Sequence, residues 1–247
     1  MASPVGNTAS CKIIEEGFFI PPSSWIDVRM GYEGDFVSDG KMKQKIQGHG
    51  RVDTYQQDTN SGTITLNAVK RLDAYALFGS SKTKASWRFT DTTDAIHNTQ
   101  METRYDFLWA VGARAIAIEW GGCCLGFGGR YTACNYNVAW LNVDGVSSAT
   151  QGARCQWHEW QVNGDFSFHI DLFTPYLGVK YSRAHTKVGS FPVAISQSGS
   201  GINQFVSRNP VGVYIGCALS TGKYFMLNIE GRLVDEEALT LSADIAF

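Results

Sequence analysis

Every second residue from Trp160 to Ile170 is apolar or small (Trp160, Val162, Gly164, Phe166, Phe168, Ile170), and between them lie Gln161, Asn163, Asp165, Ser167 and His169. A period of two belongs to a β-strand with one greasy and one polar face. It excludes an amphipathic helix, whose faces repeat about every 3.6 residues. Such a strand has two homes: the outer sheet of a sandwich, or a wall between lipid and water.

The alternation recurs along the chain. "WIDVRMGYEGDFVSD" sets Ile26, Val28, Met30, Tyr32 and Phe36 against Asp27, Arg29, Glu33 and Asp35. "SGTITLNAVKR", "DFLWAVGARAIAIEW", "CLGFGGRYTA", "KYFMLNIEGRL" and "ALTLSADIAF" follow the same rule. Their polar faces carry both signs of charge, whereas their apolar faces carry none in mid-strand. Ala113, Ala115, Ala117 and Gly164 on the apolar faces are too small to fill a sandwich interior but suffice against lipid. Trp25, Tyr105, Trp120, Tyr176 and Tyr224 fall near strand ends, where aromatic girdles meet the membrane interface.

The connections between these strands alternate between long and short. Strands are expected at 24–37, 58–70, 73–89, 104–119, 122–137, 154–169, 174–188, 209–220, 223–234 and 237–247, with only 73–89 resisting an in-or-out assignment. Long connections at 38–57, 90–103, 138–153 and 189–208 alternate with tight turns such as "GG" and "TG". This predicts an all-β fold: a transmembrane antiparallel up-and-down β-barrel of about ten strands at 24–247, its tight turns periplasmic and its long loops outside. Residues 1–23 then form a periplasmic N-terminal segment.

With 247 residues there is room for one large domain, and a net charge of −2 gives no reason to expect nucleic acid. No apolar run reaches the roughly 18 residues of a helical membrane span. The start, "MASPVGNTAS", lacks the charged and apolar regions of a signal peptide as it stands.

The inward parity assigns Asp27, Glu33, Asp35, Asp106, Glu159, Asp165, Glu230 and Asp244 to the lumen as acids, with Arg29, Arg114, Arg130, Lys180 and Arg232 as bases. The interior of a ten-stranded barrel is close to what side chains can fill. These charges therefore line a thin polar pore or cross-link and plug it. Cys134 and Cys155 flank the connection 138–153 on the inward parity and are candidates for a disulfide, while Cys217 faces lipid. An enzyme reading rests on rim histidines, His158 and His185 on strands and His49 and His97 in loops, activating a water as a barrel protease does. His169 lies at the opposite end, and no paired aspartates face the rim, so no enzyme is expected. No cofactor is implied either. "GGCCLGFGGR" lacks phosphate-loop spacing, and Cys123 with Cys124 lacks a second metal-ligating pair.

"IDVRMGYEGDFVSD", "LWAVGARAIAIEWGGCCLGFGGRY", "WHEWQVNGDFSFHIDLFTPYLGVKYSRA" and "KYFMLNIEGRLVDEEALTLSADIAF" resemble the chlamydial major outer membrane protein family, and "PVGN" is similar to that family's mature N-terminus. The resemblance implies a porin of the bacterial cell outer membrane that passes small solutes or ions by diffusion and has a structural role in the envelope. It also implies thiol cross-links to other envelope proteins, with Cys11, Cys123 and Cys124 as candidates on the periplasmic side, and outer-membrane lipid as a partner, with a homo-oligomer as a further option. This chain lacks most of the family's large variable loops, and "FFIPPSSW" stands where its Cys-rich segment would be. A shortened member or a truncated chain fits that pattern, and a non-conducting structural barrel or adhesin is the alternative function.

Overall fold

The computed structural model describes residues 6–14, 16–19, 24–45, 50–90, 94–148, 150, 152–189 and 203–247. His49 and residues 190–202 of the expected loop 189–208 lie outside them. The described elements are, in chain order, α1 (Ser10–Ile13), β1 (Ile26–Gly40), β2 (Met42–Gln44), β3 (Gly50–Ala68), β4 (Leu72–Thr90), β5 (Ile96–Thr103), β6 (Asp106–Trp120) and β7 (Cys123–Val143). They continue with β8 (Val146–Ser147), β9 (Arg154–Phe168), β10 (Phe173–Gly189), β11 (Gln204–Ser207), β12 (Val211–Ser220), β13 (Phe225–Leu233) and β14 (Glu236–Ala246).

Ten of these strands close a ring of antiparallel neighbours, β1, β3, β4, β6, β7, β9, β10, β12, β13 and β14, with β14 paired back onto β1. Closure leaves no unpaired edge, which is what a strand wall requires in hydrocarbon. Among the described residues no helix is long and apolar enough to cross a membrane. The tight turns behave as their sequence demands. Between β6 and β7, Gly121 and Gly122 both take positive φ (52° and 84°), the two-residue turn whose twist matches the flanking strands.

A second tier rises above the ring on the loop side. There β5 replaces β6 between β4 and β7, and β11 and β2 continue the wall from β10 until β2 lies against β3. The expected long loops are therefore shorter than the alternating lengths suggested. Residues 50–57 belong to β3, 96–103 to β5, 138–143 to β7 and 204–207 to β11. The upper tier has eight strands, β2, β3, β4, β5, β7, β9, β10 and β11.

The two tiers have opposite polarity. In the lower tier Met30, Phe107, Phe127, Val162, Leu177, Ile215 and Ile229 face outward and the charges face in. In the upper tier the inward face is apolar, with Tyr55, Trp87, Phe89, Met101, Leu141, Trp157 and Phe205 in one buried cluster, and the outward face carries residues such as Lys84, Arg88, Arg154 and Lys187. The lower tier matches a lipid-facing wall and the upper tier a small water-soluble barrel.

Candidate functional site

The candidate site is the barrel interior, which inward residues of every wall strand build by parity. Arg29 and Asp35 on β1, Arg130 on β7, Glu159 and Asp165 on β9, Lys180 on β10, and Glu230 and Arg232 on β13 are all buried against the interior. Asp27, Glu33, Arg114 and Asp244 lie on the same parity, partly buried. All twelve share the inward parity of their strands.

Nine of them are gathered into three ion-pair networks, while Glu159, Asp165 and Asp244 form no ion pair among the described residues. Nearest the turns, Asp73 accepts from Arg114 Nε (2.8 Å) and Asn67 Nδ2 (2.6 Å) and lies 3.7 Å from Arg29 Nη1. At mid-height Arg130 donates to Glu33 (3.1 Å). Higher up, Arg232 reaches Asp35 and Glu236, each at 2.6 Å, and Glu230 at 3.5 Å. In the same network Lys180 bonds Glu236 (2.6 Å) and Asp235 (3.1 Å). Each buried base meets an acid within ion-pair reach, the condition under which charge survives away from water. Asp165 instead accepts from Thr8 and Tyr214, and neither carboxylate oxygen of Glu159 has a hydrogen-bond partner among the described residues.

Three inward tyrosines narrow the bore further. Tyr176 sits directly opposite Gly216, Tyr214 opposite Gly178 and Tyr75 opposite Gly112, and each ring covers its glycine so closely that a Cβ there would collide with it. Tyr176 is therefore an interior residue and not part of an aromatic girdle, because the even positions of β10 point inward. Trp25, Tyr105 and Trp120 do face outward at strand ends.

Residues 6–14 do not extend beneath the barrel. They enter it from the turn side. Gly6 N–H donates to Glu230 (3.0 Å), Thr8 N–H and its hydroxyl donate to Asp165, and Arg29 donates to the carbonyls of Ser10 (2.7 Å) and Cys11 (3.1 Å). Ala9, Cys11, Ile13 and Ile14 then pack on Ile116, Cys124, Ala218, Met226 and Ala246 and seal the turn end. Gly126 makes this docking feasible, since a Cβ at that position would fall on the Thr8 side chain. A void of about 30 Å³ remains near Asn7, Tyr75, Arg114 and Arg130. That holds a water or two and is not a passage.

Parity alone did not find Asp73, Asp235, Glu236 or the N-terminal plug. Asp73 sits on the strand that gave no in-or-out assignment. Asp235 folds inward from the β13–β14 turn, where a period of two carries no information, and Glu236 opens β14 one residue before the strand expected at 237–247. The buried "NTASCKII" reads as a polar leader until it is seen inside a barrel.

The disulfide expected between Cys134 and Cys155 is absent. Both thiols face inward in the upper core, but the register sets Cys134 opposite Trp157 and Cys155 opposite Tyr136, a diagonal and not a facing pair, and all six cysteines are free. Cross-strand neighbours on a diagonal lie about 7–8 Å apart, beyond the usual reach of a disulfide. Of the thiols considered for intermolecular links, Cys11 and Cys124 are buried and only Cys123 is partly exposed. The rim histidines are not arranged for chemistry. His158 and His185 face each other across β9 and β10 with ring centroids 5.1 Å apart, on the outward face and not toward the bore. His97 pairs with Asp144 at the hairpin tip (2.6 Å), and His169 contacts Thr174 near the turns (2.9 Å).

The family model described as Chlamydia major outer membrane protein matches residues 143–210. The major outer membrane porins of Chlamydia trachomatis serovars F and E are 24% and 23% identical to this chain, and each alignment covers all of this chain and 95% of the relative. The serovar E alignment runs over 372 positions for the 247 residues here, so that relative carries long insertions that this chain lacks. Among solved structures, an outer membrane channel from Pseudomonas putida F1 matches with a TM-score of 0.47 at 9% identity, covering 92% of this chain and all of that one.

Proposed function

We propose, from the premise that this chain is a distant relative of the chlamydial major outer membrane proteins and resides in the bacterial outer membrane, that it is a sealed barrel whose role in the envelope is structural. The observation that carries this reading is the packed interior. The apolar core fills the upper tier, paired charges and tyrosines fill the middle, and residues 6–14 fill the turn end. Each of the three would have to move before a solute could pass, and the two ionic and apolar packings are costly to open.

The porin reading, passive diffusion of small solutes through a polar lumen, is supported by the names of the relatives. Its polar route through Arg29, Arg114, Arg130, Glu33 and Arg232 exists as residues but is occupied by their mutual contacts. Lipid is the partner of the outward apolar belt, and thiol links to neighbouring envelope proteins would run through Cys123. No catalytic role is assigned. A liposome-swelling assay separates the two readings. Vesicles carrying the full-length barrel should swell no faster in small sugars than empty ones, and fast, size-dependent swelling would establish a diffusion pore instead.

A further inference from the structure

Just above the lipid-facing wall, where polarity reverses, the outward surface of β9, β10, β11 and β2 holds a groove of about 640 Å³. Lys43, Arg183, Arg208, His158, His185 and Trp160 line it, and no carboxylate does. None of the three permanent bases forms an ion pair among the described residues. Every interior base has an acid within reach, and outward Arg88 and Lys82 are paired with Asp53 and Glu102, whereas in this groove three bases converge with no acid among them. An unneutralised cluster of bases at the membrane boundary is the chemistry that holds phosphate.

A second groove, of about 570 Å³, lies lower on the same panel, on the lipid face, where Phe166, Leu177, Ile215, Ile229 and Leu239 make it almost wholly apolar. Trp160 and Tyr181, their rings 5.5 Å apart, stand between the two. From Arg183 to Leu177 the strand advances about 20 Å, which at the roughly 40° tilt of barrel strands is about 15 Å of depth, the reach of one leaflet's hydrocarbon.

We propose that the upper groove binds the phosphorylated headgroup of an outer-leaflet glycolipid, whose acyl chain runs past Trp160 and Tyr181 into the apolar groove below. The phosphate chemistry alone would also suit free inorganic phosphate, but the apolar groove beneath it favours the lipid. The site lies outside the bore, so it stands or falls independently of whether the barrel conducts.

The test uses the full chain, folded and checked by its heat-dependent gel mobility, with phosphatidylcholine vesicles with and without diphosphoryl lipid A. The barrel should retain lipid A through detergent extraction and should not retain phosphatidylcholine. Replacing Lys43, Arg183 and Arg208 by Ala should weaken retention roughly fivefold for each base, about a hundredfold for all three. Removing Lys84, Arg104 and Arg154, exposed bases that do not line the groove, should change it less than twofold (about 0.4 kcal/mol). If the triple variant does not fold, Arg183→Gln alone should still give about a fivefold loss. Equal losses in both triple variants, no loss in Arg183→Gln, or displacement of lipid A by inorganic phosphate would overturn the proposal.

Discussion

The two tiers of one wall solve the same problem, filling a barrel, with opposite chemistry. Below, where the outside is hydrocarbon, the inside is ionic, and Arg232 and Lys180 hold Asp35, Glu230 and Glu236 in one network. Above, the inside is an ordinary apolar core and the outside is polar. A single strand passes through both regimes without changing its geometry. On β4 the inward residues run Asp73, Tyr75, Leu77, Gly79, Ser81, Thr83, Ala85, Trp87 and Phe89, from ionic to apolar, while parity never slips. Strand geometry thus decides which side chains share a face, and the medium outside decides which face is greasy.

The largest effect expected from breaking this contrast lies in the lower tier. Arg232→Ala leaves Asp35, Glu230 and Glu236 short of their shared cation in a dry interior and should cost about 3–5 kcal/mol in urea unfolding from lipid vesicles. Retained stability would mean that water reaches this network. In the upper tier the loss is one of packing, not of charge. Met101→Ala, in the core beneath β5, should cost about 2–4 kcal/mol, and the same assay with salt added should leave that value unchanged.

A smaller effect probes the plug. Gly126→Ala places a methyl group on the seat of Thr8 without touching residues 6–14. It should cost about 1–3 kcal/mol and expose the bond after Lys12 to trypsin, while the ring remains intact. Unchanged digestion would mean that the segment is held by other contacts.

The smallest effect belongs to the upper rim. The Asp144 carboxyl is held below the usual carboxylate range by its hydrogen bonds with the His97 ring and the Asn98 N–H (2.6 and 2.8 Å). A depressed carboxylate contributes its stability above the unfolded value near pH 4 and loses it as pH falls through the folded value. Because the pair is exposed, the contribution is under about 1 kcal/mol. Amide exchange at Asn98 should accelerate only below about pH 4, and an onset near neutral pH would assign the effect to another group.

Much of this architecture was legible because a period of two is a local signal. The stretch from Trp160 to Phe168 gave its inward residues correctly, and the ten wall strands fell close to their expected positions. Residues 73–89 were illegible for a physical reason. A hydrophobicity pattern assumes one medium along the strand, and β4 leaves hydrocarbon for water part-way along its length. For the same reason the upper wall at 50–57 and 96–103 read as loop: polar residues facing water on a strand resemble a connection. Parity pointed to most of the interior charges on the wall strands but not to Asp73 on β4 or Glu236 at the start of β14. The plug and Asp235 were out of its reach, because nothing in a short polar segment encodes the barrel that receives it.

Single-channel recording of the full-length protein in a planar bilayer tests the sealed barrel most directly. With the core, the charge networks and residues 6–14 all in place, the baseline should stay closed, with no discrete conductance steps at moderate voltage. Steady open steps of uniform size would show that ions cross the packed interior.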